Sequence, residues 1–297
     1  MLTYSDYIAK RFGHKMQKIS IDAGFTCPNR DGTLSVGGCA FCNNKTFSPT
    51  YCSPQKSVTQ QINEGINFFS IKHNDLGYLA YFQSYSSTYG NTADILRLYN
   101  EALAHPRISG LIIGTRPDCI ANDLLAELST LAQHTYICIE IGAESIYNET
   151  LTAVNRCHTW EQTQDAVNRV AAAGINVGLH LIMGLPGETR EMMMHEADVV
   201  STLPITIVKL HQLQIVKGSA FERMYAENPT HFSLFSVDEY VDFCVNFVQR
   251  LRPDIVVDRF TNQSPPDLVI APRWNLKNYE FTHRVERKMK NIGIHNS

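Results

Sequence analysis

The sequence predicts an α/β fold in which parallel strands alternate with helices. Three observations predict it. Apolar, β-rich runs alternate with longer amphipathic stretches in units of about 30 to 35 residues. Six such units follow one another between residues 17 and 216. The strand candidates are near-continuous apolar runs, as expected when helices cover both faces of a sheet. Strand–helix alternation implies right-handed parallel crossovers. Six units make either an open doubly wound sheet or an incomplete barrel. In both, functional residues belong at the C-terminal ends of the strands.

Each element has its own signal. "QKISIDAG" (17–24) reads as a strand that leads into a cysteine-bearing loop. Residues 57–73 have helical spacing, with Val58, Ile62, Ile66 and Phe69 recurring every three or four residues. A strand at 78–85 precedes a helix at 92–105 that Pro106 ends. A strand at 110–116 stops at Pro117, and Asn122 is the expected cap of a helix at 122–134. A strand at 136–143 is followed by a helix at 159–174, running from a Thr cap to a Gly stop. A strand at 176–185, a helix at 188–203 and a sixth strand at 205–216 complete the series. Glu188 is expected to cap the helix it opens. The triple Met at 192–194 reads as helix packing. The rhythm then changes. A helix at 236–250, a strand at 255–260, the Pro-rich "NQSPPDLVIAPRW" and a basic helix at 282–291 form an extension. The expected division is a core at 1–218 and an extension at 219–297 that covers the barrel or substrate pocket.

Composition narrows the class. The chain has 297 residues, 44% hydrophobic and 19% charged, enough for a substantial core. A net charge of −3 gives no support for extensive nucleic-acid contact, although a local patch remains compatible with it. No apolar run is long enough to span a bilayer, and "MLTYSDYIAKRFGHK" has no signal-peptide core. A cytoplasmic protein without membrane partners is therefore expected. Its eight cysteines then read as ligands or buried thiols rather than disulfides.

The strongest chemical signal is "CPNRDGTLSVGGCAFC" (27–42), which puts Cys27, Cys39 and Cys42 in a C-x11-C-x2-C spacing. Thiolates are soft ligands that select zinc, copper(I) or iron–sulfur clusters. A structural zinc asks for four donors. His14 or Cys52 would have to supply the fourth, and neither is spaced like a second CxxC. Three thiolates on a [4Fe–4S] cluster instead leave one iron open. Cys119, Cys138 and Cys244 lie in apolar elements and read as buried thiols.

The ending "GGCAFC", with an aromatic residue at Phe41, resembles the radical S-adenosylmethionine (SAM) enzymes. The first gap is longer than their common C-x3-C-x2-C pattern. That gap and "CPNRDGT" resemble the YhcC-like branch, related to the Elongator catalytic core and to oxygen-independent coproporphyrinogen oxidase. "AYFQSYSST", "GTRPDC", "VNRCHT", "HLIMGLPGET", "KLHQLQIVKGS" and "LVIAPRW" follow in order. The resemblance implies a partial (β/α)6 TIM-like barrel with a [4Fe–4S] cluster at its mouth. It implies that SAM chelates the open iron, that an electron from a reductant such as flavodoxin or ferredoxin cleaves it, and that a 5′-deoxyadenosyl radical takes hydrogen from a substrate. Two other functions stay open: an RNA-modifying (tRNA) radical enzyme like the Elongator core, and a non-catalytic, zinc-stabilised binding protein.

The same resemblance assigns roles. Gln83, Ser84 and Ser86 in "QSYSST" stand where relatives hold the methionine ammonium of SAM, without the usual acidic residue. Glu140, a carboxylate in an apolar strand, needs a partner, which could be the cofactor or a nearby Arg. Glu144 falls where relatives have a SAM-contacting Gln. Arg156 matches the position that reaches the SAM carboxylate, with Cys157 where a Gly is common. His180 stands at a ribose-binding position, and Gly184 would let the backbone approach adenine. Alternation puts Lys209 and His211 on one face. With Lys217 and Arg259 they are candidates for the substrate pocket; Arg273 and Trp274 are weaker ones.

Overall fold

The computed structural model describes residues 1–46, 48–70 and 76–293. The expected helical residues 71–73 and the end of the extension, 294–297, lie outside them.

The chain opens with β1 (Leu2–Thr3) and α1 (Tyr4–Phe12), neither foreseen in the sequence. The repeating units then run β2 (Met16–Ile21), α2 (Val58–Ser70), β3 (Gly77–Phe82), α3 (Thr92–Leu103), β4 (Ile108–Thr115) and α4 (Asn122–Ala132). They continue with β5 (Tyr136–Glu144), α5 (Asn148–Ala153), α6 (Trp160–Ala172), β6 (Asn176–Met183), α7 (Arg190–Val200) and β7 (Ile207–Gln212). The C-terminal part adds β8 (Ile215–Val216), α8 (Ala220–Glu227), α9 (Val237–Arg250), β9 (Val256–Val257), β10 (Val269–Ala271) and α10 (Asn278–Asn291).

Eight strands form one sheet in the order β1-β9-β7-β6-β5-β4-β3-β2. Every pairing in it is parallel. The sheet curls into an open half-barrel. The six strands from β2, at one edge, to β7 are the six predicted units, in sequence order. The extension's β9 joins this sheet beside β7 and carries β1 on its outer side. The expected sixth strand is shorter than 205–216, because the chain leaves the sheet after Gln212. Ile215–Val216 pair instead with β10, antiparallel.

Local signals explain the helix starts. Thr159 caps α6 in a reciprocal capping box with Gln162. Asn122 does not cap α4. It is the first helical residue, Ala121 holds the cap position, and the Asn122 amide oxygen accepts from Arg169 instead. Glu188 does not cap α7 either. Thr189 accepts from Met192 N, while Glu188 is turned inward onto Ser145. Met193 is fully buried, as the packing role of the Met run requires, and its sulfur accepts from Gly184 N at 2.9 Å.

Candidate active site

The loop after β2 is shaped by its own backbone. The Cys27 carbonyl accepts from Arg30 N at 2.8 Å and Asp31 N at 3.1 Å, and Cys42 N donates to Cys39 O at 3.0 Å. These turns bring all three cysteines to one cavity at the C-terminal ends of the strands. Gly38 needs to be glycine twice over: its φ is +82°, and a Cβ there would stand 2.7 Å from Arg30 Nε. The thiols are free, with Cys27 and Cys39 buried and Cys42 half-buried.

A second loop, between α5 and α6, clamps the first. Asn29 Nδ2 donates to Asn155 O at 2.5 Å and to Cys39 Sγ at 3.4 Å. Asn155 Nδ2 donates back to Gly38 O at 2.9 Å. Ala40 N donates to Val154 O at 2.9 Å. Both asparagines lie in the motifs "CPNRDGT" and "VNRCHT", which do not by themselves announce this work. The only signal was their place in turn-rich stretches that Asn tolerates, Asn155 with φ 53°.

Neither imagined fourth zinc ligand joins the cysteines. His14 lies beside Gly77 and Met16, and Cys52 donates to Ser20 O at 3.1 Å. Among the described residues, no three His, Cys, Asp or Glu side chains are placed to hold a single metal ion. A cluster asks for something else, since each thiolate binds its own iron.

Beside the cysteines stands Arg156, 7% exposed. Its Nη2 donates to Gly142 O at 2.7 Å and lies 3.2 Å from Glu144 Oε1, while Nη1 approaches Cys39 Sγ at 3.5 Å. Its buried Nε has no partner among the described residues. Gly142 makes room: a Cβ there would meet Glu144 Oε1 at 2.5 Å and Arg156 Nη2 at 2.6 Å. Glu144 itself is left-handed (φ 68°), at an irregularity in the β5–β6 pairing. Cys157 takes φ 58°, the conformation a glycine adopts freely. Sequence reasoning missed Arg116, which is 2% exposed, bonds Asp118 twice at 2.9 Å and borders the same cavity. Its Nη1 is buried without a partner among the described residues. An Arg-Pro-Asp at a strand's C-terminal end was the available signal.

The cavity floor is a charge network. Glu140, 2% exposed, accepts from Tyr81 Oη at 2.6 Å, Lys209 Nζ at 2.7 Å, His180 Nε2 at 2.9 Å and Lys18 Nζ at 3.1 Å. Burial alone would raise its pKa, but Lys18 and Lys209 hold it well below the usual carboxylate range. Its partners are therefore lysines rather than Arg. Lys18 also bonds Asp258 at 2.8 Å. Burial pushes Lys209 down to about 8, so it is still mostly cationic at neutral pH. His180 is lowered by burial and by Lys209. His211 is on the same face as Lys209, its ring 5.5 Å from that of His180.

Gln83, Ser86 and Phe41 border the cavity along with Glu140, Glu144, Arg156, His180 and His211. The remaining candidates are not on its wall. Ser84 is buried beside it. Gly184 faces Leu213 and Phe235 with φ +101°, a conformation that asks for glycine. Lys217 is exposed, its carbonyl accepting from Asn43. Arg259 borders a second cavity between β1, β9 and α10. Arg273 donates to Val269 O, and Trp274 stacks on Phe281. Cys119, Cys138 and Cys244 are buried as expected.

A three-cysteine loop at the mouth of a parallel half-barrel defines a class, and the comparisons agree. Residues 27–200 match the Radical SAM superfamily and 205–291 its Radical SAM C-terminal domain. The chain belongs to that superfamily and is a radical SAM enzyme. It is 32% identical to YtqA of Bacillus subtilis over 98% of this chain and 90% of that protein. It is 28% identical to YhcC of Escherichia coli over 98% and 92%. A tRNA uridine(34) acetyltransferase of Methanocaldococcus infernus is 26% identical over 58% of this chain and 32% of its own. The fold matches archaeal Methanocaldococcus infernus Elp3 with a TM-score of 0.68 at 16% identity, over 94% of this chain and 64% of that one. Among the described residues, no helix is long and apolar enough to cross a membrane.

Proposed function

We propose that Cys27, Cys39 and Cys42 hold a [4Fe–4S] cluster whose open iron binds SAM, and that the barrel interior receives the substrate. One observation carries the reading: the three free thiols share a cavity with a buried guanidinium, Arg156, whose Nε lacks a partner among the described residues. The cavity is open to solvent and mixes apolar groups with a few convergent polar ones, as ligand sites do. When bound and reduced, the cluster and SAM supply a 5′-deoxyadenosyl radical that takes hydrogen from substrate.

The chain's own residues have distinct tasks. Arg156 offers charge and donors to the SAM carboxylate. Gln83 and Ser86 accept from its ammonium. Glu144 fixes Arg156 in place. His180, pinned to Glu140, presents its ring toward the sugar. Asn29 and Asn155 hold the cysteine loop in register. An electron donor such as flavodoxin or ferredoxin completes the system. Anaerobic reconstitution is expected to give about four irons per chain and a brown chromophore that SAM perturbs. One zinc per chain and no chromophore would overturn the reading.

A second reading rests on the partial similarity to a tRNA uridine(34) acetyltransferase. A tRNA-modifying radical enzyme should bind tRNA with an affinity that falls steeply with salt. Salt-insensitive or undetectable binding rejects it.

A further inference from the structure

Two side-chain N–H groups of the chain converge on the sulfur of Cys39. Asn29 Nδ2 donates to Cys39 Sγ at 3.4 Å, and Arg156 Nη1 approaches the same sulfur at 3.5 Å. Neither donor is open to water: Asn29 is fully buried and Arg156 nearly so. In such surroundings a hydrogen bond is electrostatically stronger than it is in water. Arg156 also serves Gly142 O and Glu144, and in the proposed function it serves the SAM carboxylate as well. Asn29 has no such competing duty toward the cavity.

Chemistry fixes the direction of the Asn29 amide. Its nitrogen carries two hydrogens. One goes to Asn155 O at 2.5 Å, which leaves the other for Cys39 Sγ. Turning the amide over would set Asn29 Oδ1 against the Asn155 carbonyl oxygen, acceptor against acceptor, so the nitrogen faces the sulfur. The Asn29 carbonyl accepts from Gly38 N at 2.8 Å, which ties residue 29 to the turn that carries Cys39. Side chain and main chain together hold the amide on one ligand sulfur.

Clamping the loop needs only the bond to Asn155. The bond to sulfur does something more. An N–H aimed at a ligating sulfur stabilises negative charge there, and such bonds help to set the potential of an iron–sulfur cluster. An added electron makes the sulfurs more negative, so the reduced state gains more from the donor than the oxidised state does.

We propose that Asn29 is a positioning residue that acts through Cys39 to raise the reduction potential of the cluster. This rests on the radical-enzyme reading. The electron balance is plain: a donor such as flavodoxin or ferredoxin gives up one electron to the cluster, and no bond is made or broken.

The test is a potentiometric titration of the reconstituted, SAM-free protein, followed by the electron paramagnetic resonance of the reduced cluster. Asn29→Leu keeps the size of the side chain and cannot donate. It should shift the reduction equilibrium roughly tenfold toward the oxidised state, the worth of one charged hydrogen bond, which for one electron is about 59 mV more negative. Asn155→Gly removes the Nδ2 bond to Gly38 O, keeps the carbonyl that orients Asn29, and takes the φ of 53° freely. It should hold iron less firmly, with the reduction equilibrium moved less than roughly twofold. Should N29L lose its cluster, wild type labelled with nitrogen-15 at its asparagine side-chain amides gives a readout that needs no variant: the reduced cluster should show a magnetic coupling to the label through the Cys39 bond. A reduction equilibrium in N29L within roughly twofold of wild type, an equal drop in N155G, or no coupling to the label overturns the inference. Wild-type protein that takes up zinc in place of about four irons would instead overturn the reading beneath it.

Discussion

Lys18 and Asp258 meet at 2.8 Å although they belong to opposite sides of an open sheet. Lys18 is on β2, the last strand at one edge, and Asp258 follows β9, next to the other edge. The ion pair bridges the seam that the missing strands of a full barrel would fill. Tyr4 stands under it, its ring centroid 4.1 Å from Lys18 Nζ. Lys18→Met should therefore cost more than a surface lysine would. It leaves Glu140 and Asp258 to share Lys209, and breaking a buried pair costs roughly 3 kcal/mol or more. Urea unfolding checks this; a loss below roughly 1 kcal/mol, the range of exposed pairs, would count against the seam's role.

The cysteines should divide cleanly. Each of Cys27→Ser, C39S and C42S should lose the brown chromophore and most of the iron. Cys157→Gly should keep both, because it replaces a left-handed cysteine by the residue that takes φ 58° without strain. Its stability should be unchanged or up to about 1 kcal/mol higher. Iron analysis on the four variants reads the outcome.

Arg156→Lys keeps the charge but loses the planar fork that serves Gly142, Glu144 and the cavity together. SAM affinity should fall roughly tenfold to a hundredfold, the worth of one charged hydrogen bond. Iron content should stay the same. Equilibrium dialysis of labelled SAM against both proteins measures the change.

Glu188 and Glu196 form a buried acid pair behind the site. Burial raises Glu188 to about 7, and burial together with Glu188 raises Glu196. A carboxyl with a raised pKa favours the fold while protonated, and that support is lost as pH rises through the folded pKa. The thermal midpoint should thus decline as pH rises from about 4.5 toward and past 7. Glu188→Gln should flatten the decline, because an amide still accepts from Ser145 and does not ionise. Midpoints across that pH range for both proteins decide it.

The sequence made the strands and the cysteine loop legible because both are local. An apolar run declares a buried parallel strand, and three thiols within sixteen residues declare a ligand set. The cap at Thr159 was readable for the same reason. The floor was not. Lys18 and Asp258 are 240 residues apart, and only the curl of the sheet brings them together. Glu140 stood out as a carboxylate in an apolar strand, but its lysine partners depend on which faces of β2 and β7 turn inward. Glu188 misled because an acidic residue before a helix usually caps it. Here Thr189 takes the cap and frees Glu188 to turn inside.

The most direct test is reductive cleavage of SAM. Protein reconstituted without oxygen to about four irons per chain should, with dithionite and SAM, release 5′-deoxyadenosine, and C42S should release none. Wild-type protein that holds its iron and binds SAM yet yields no 5′-deoxyadenosine would contradict the account.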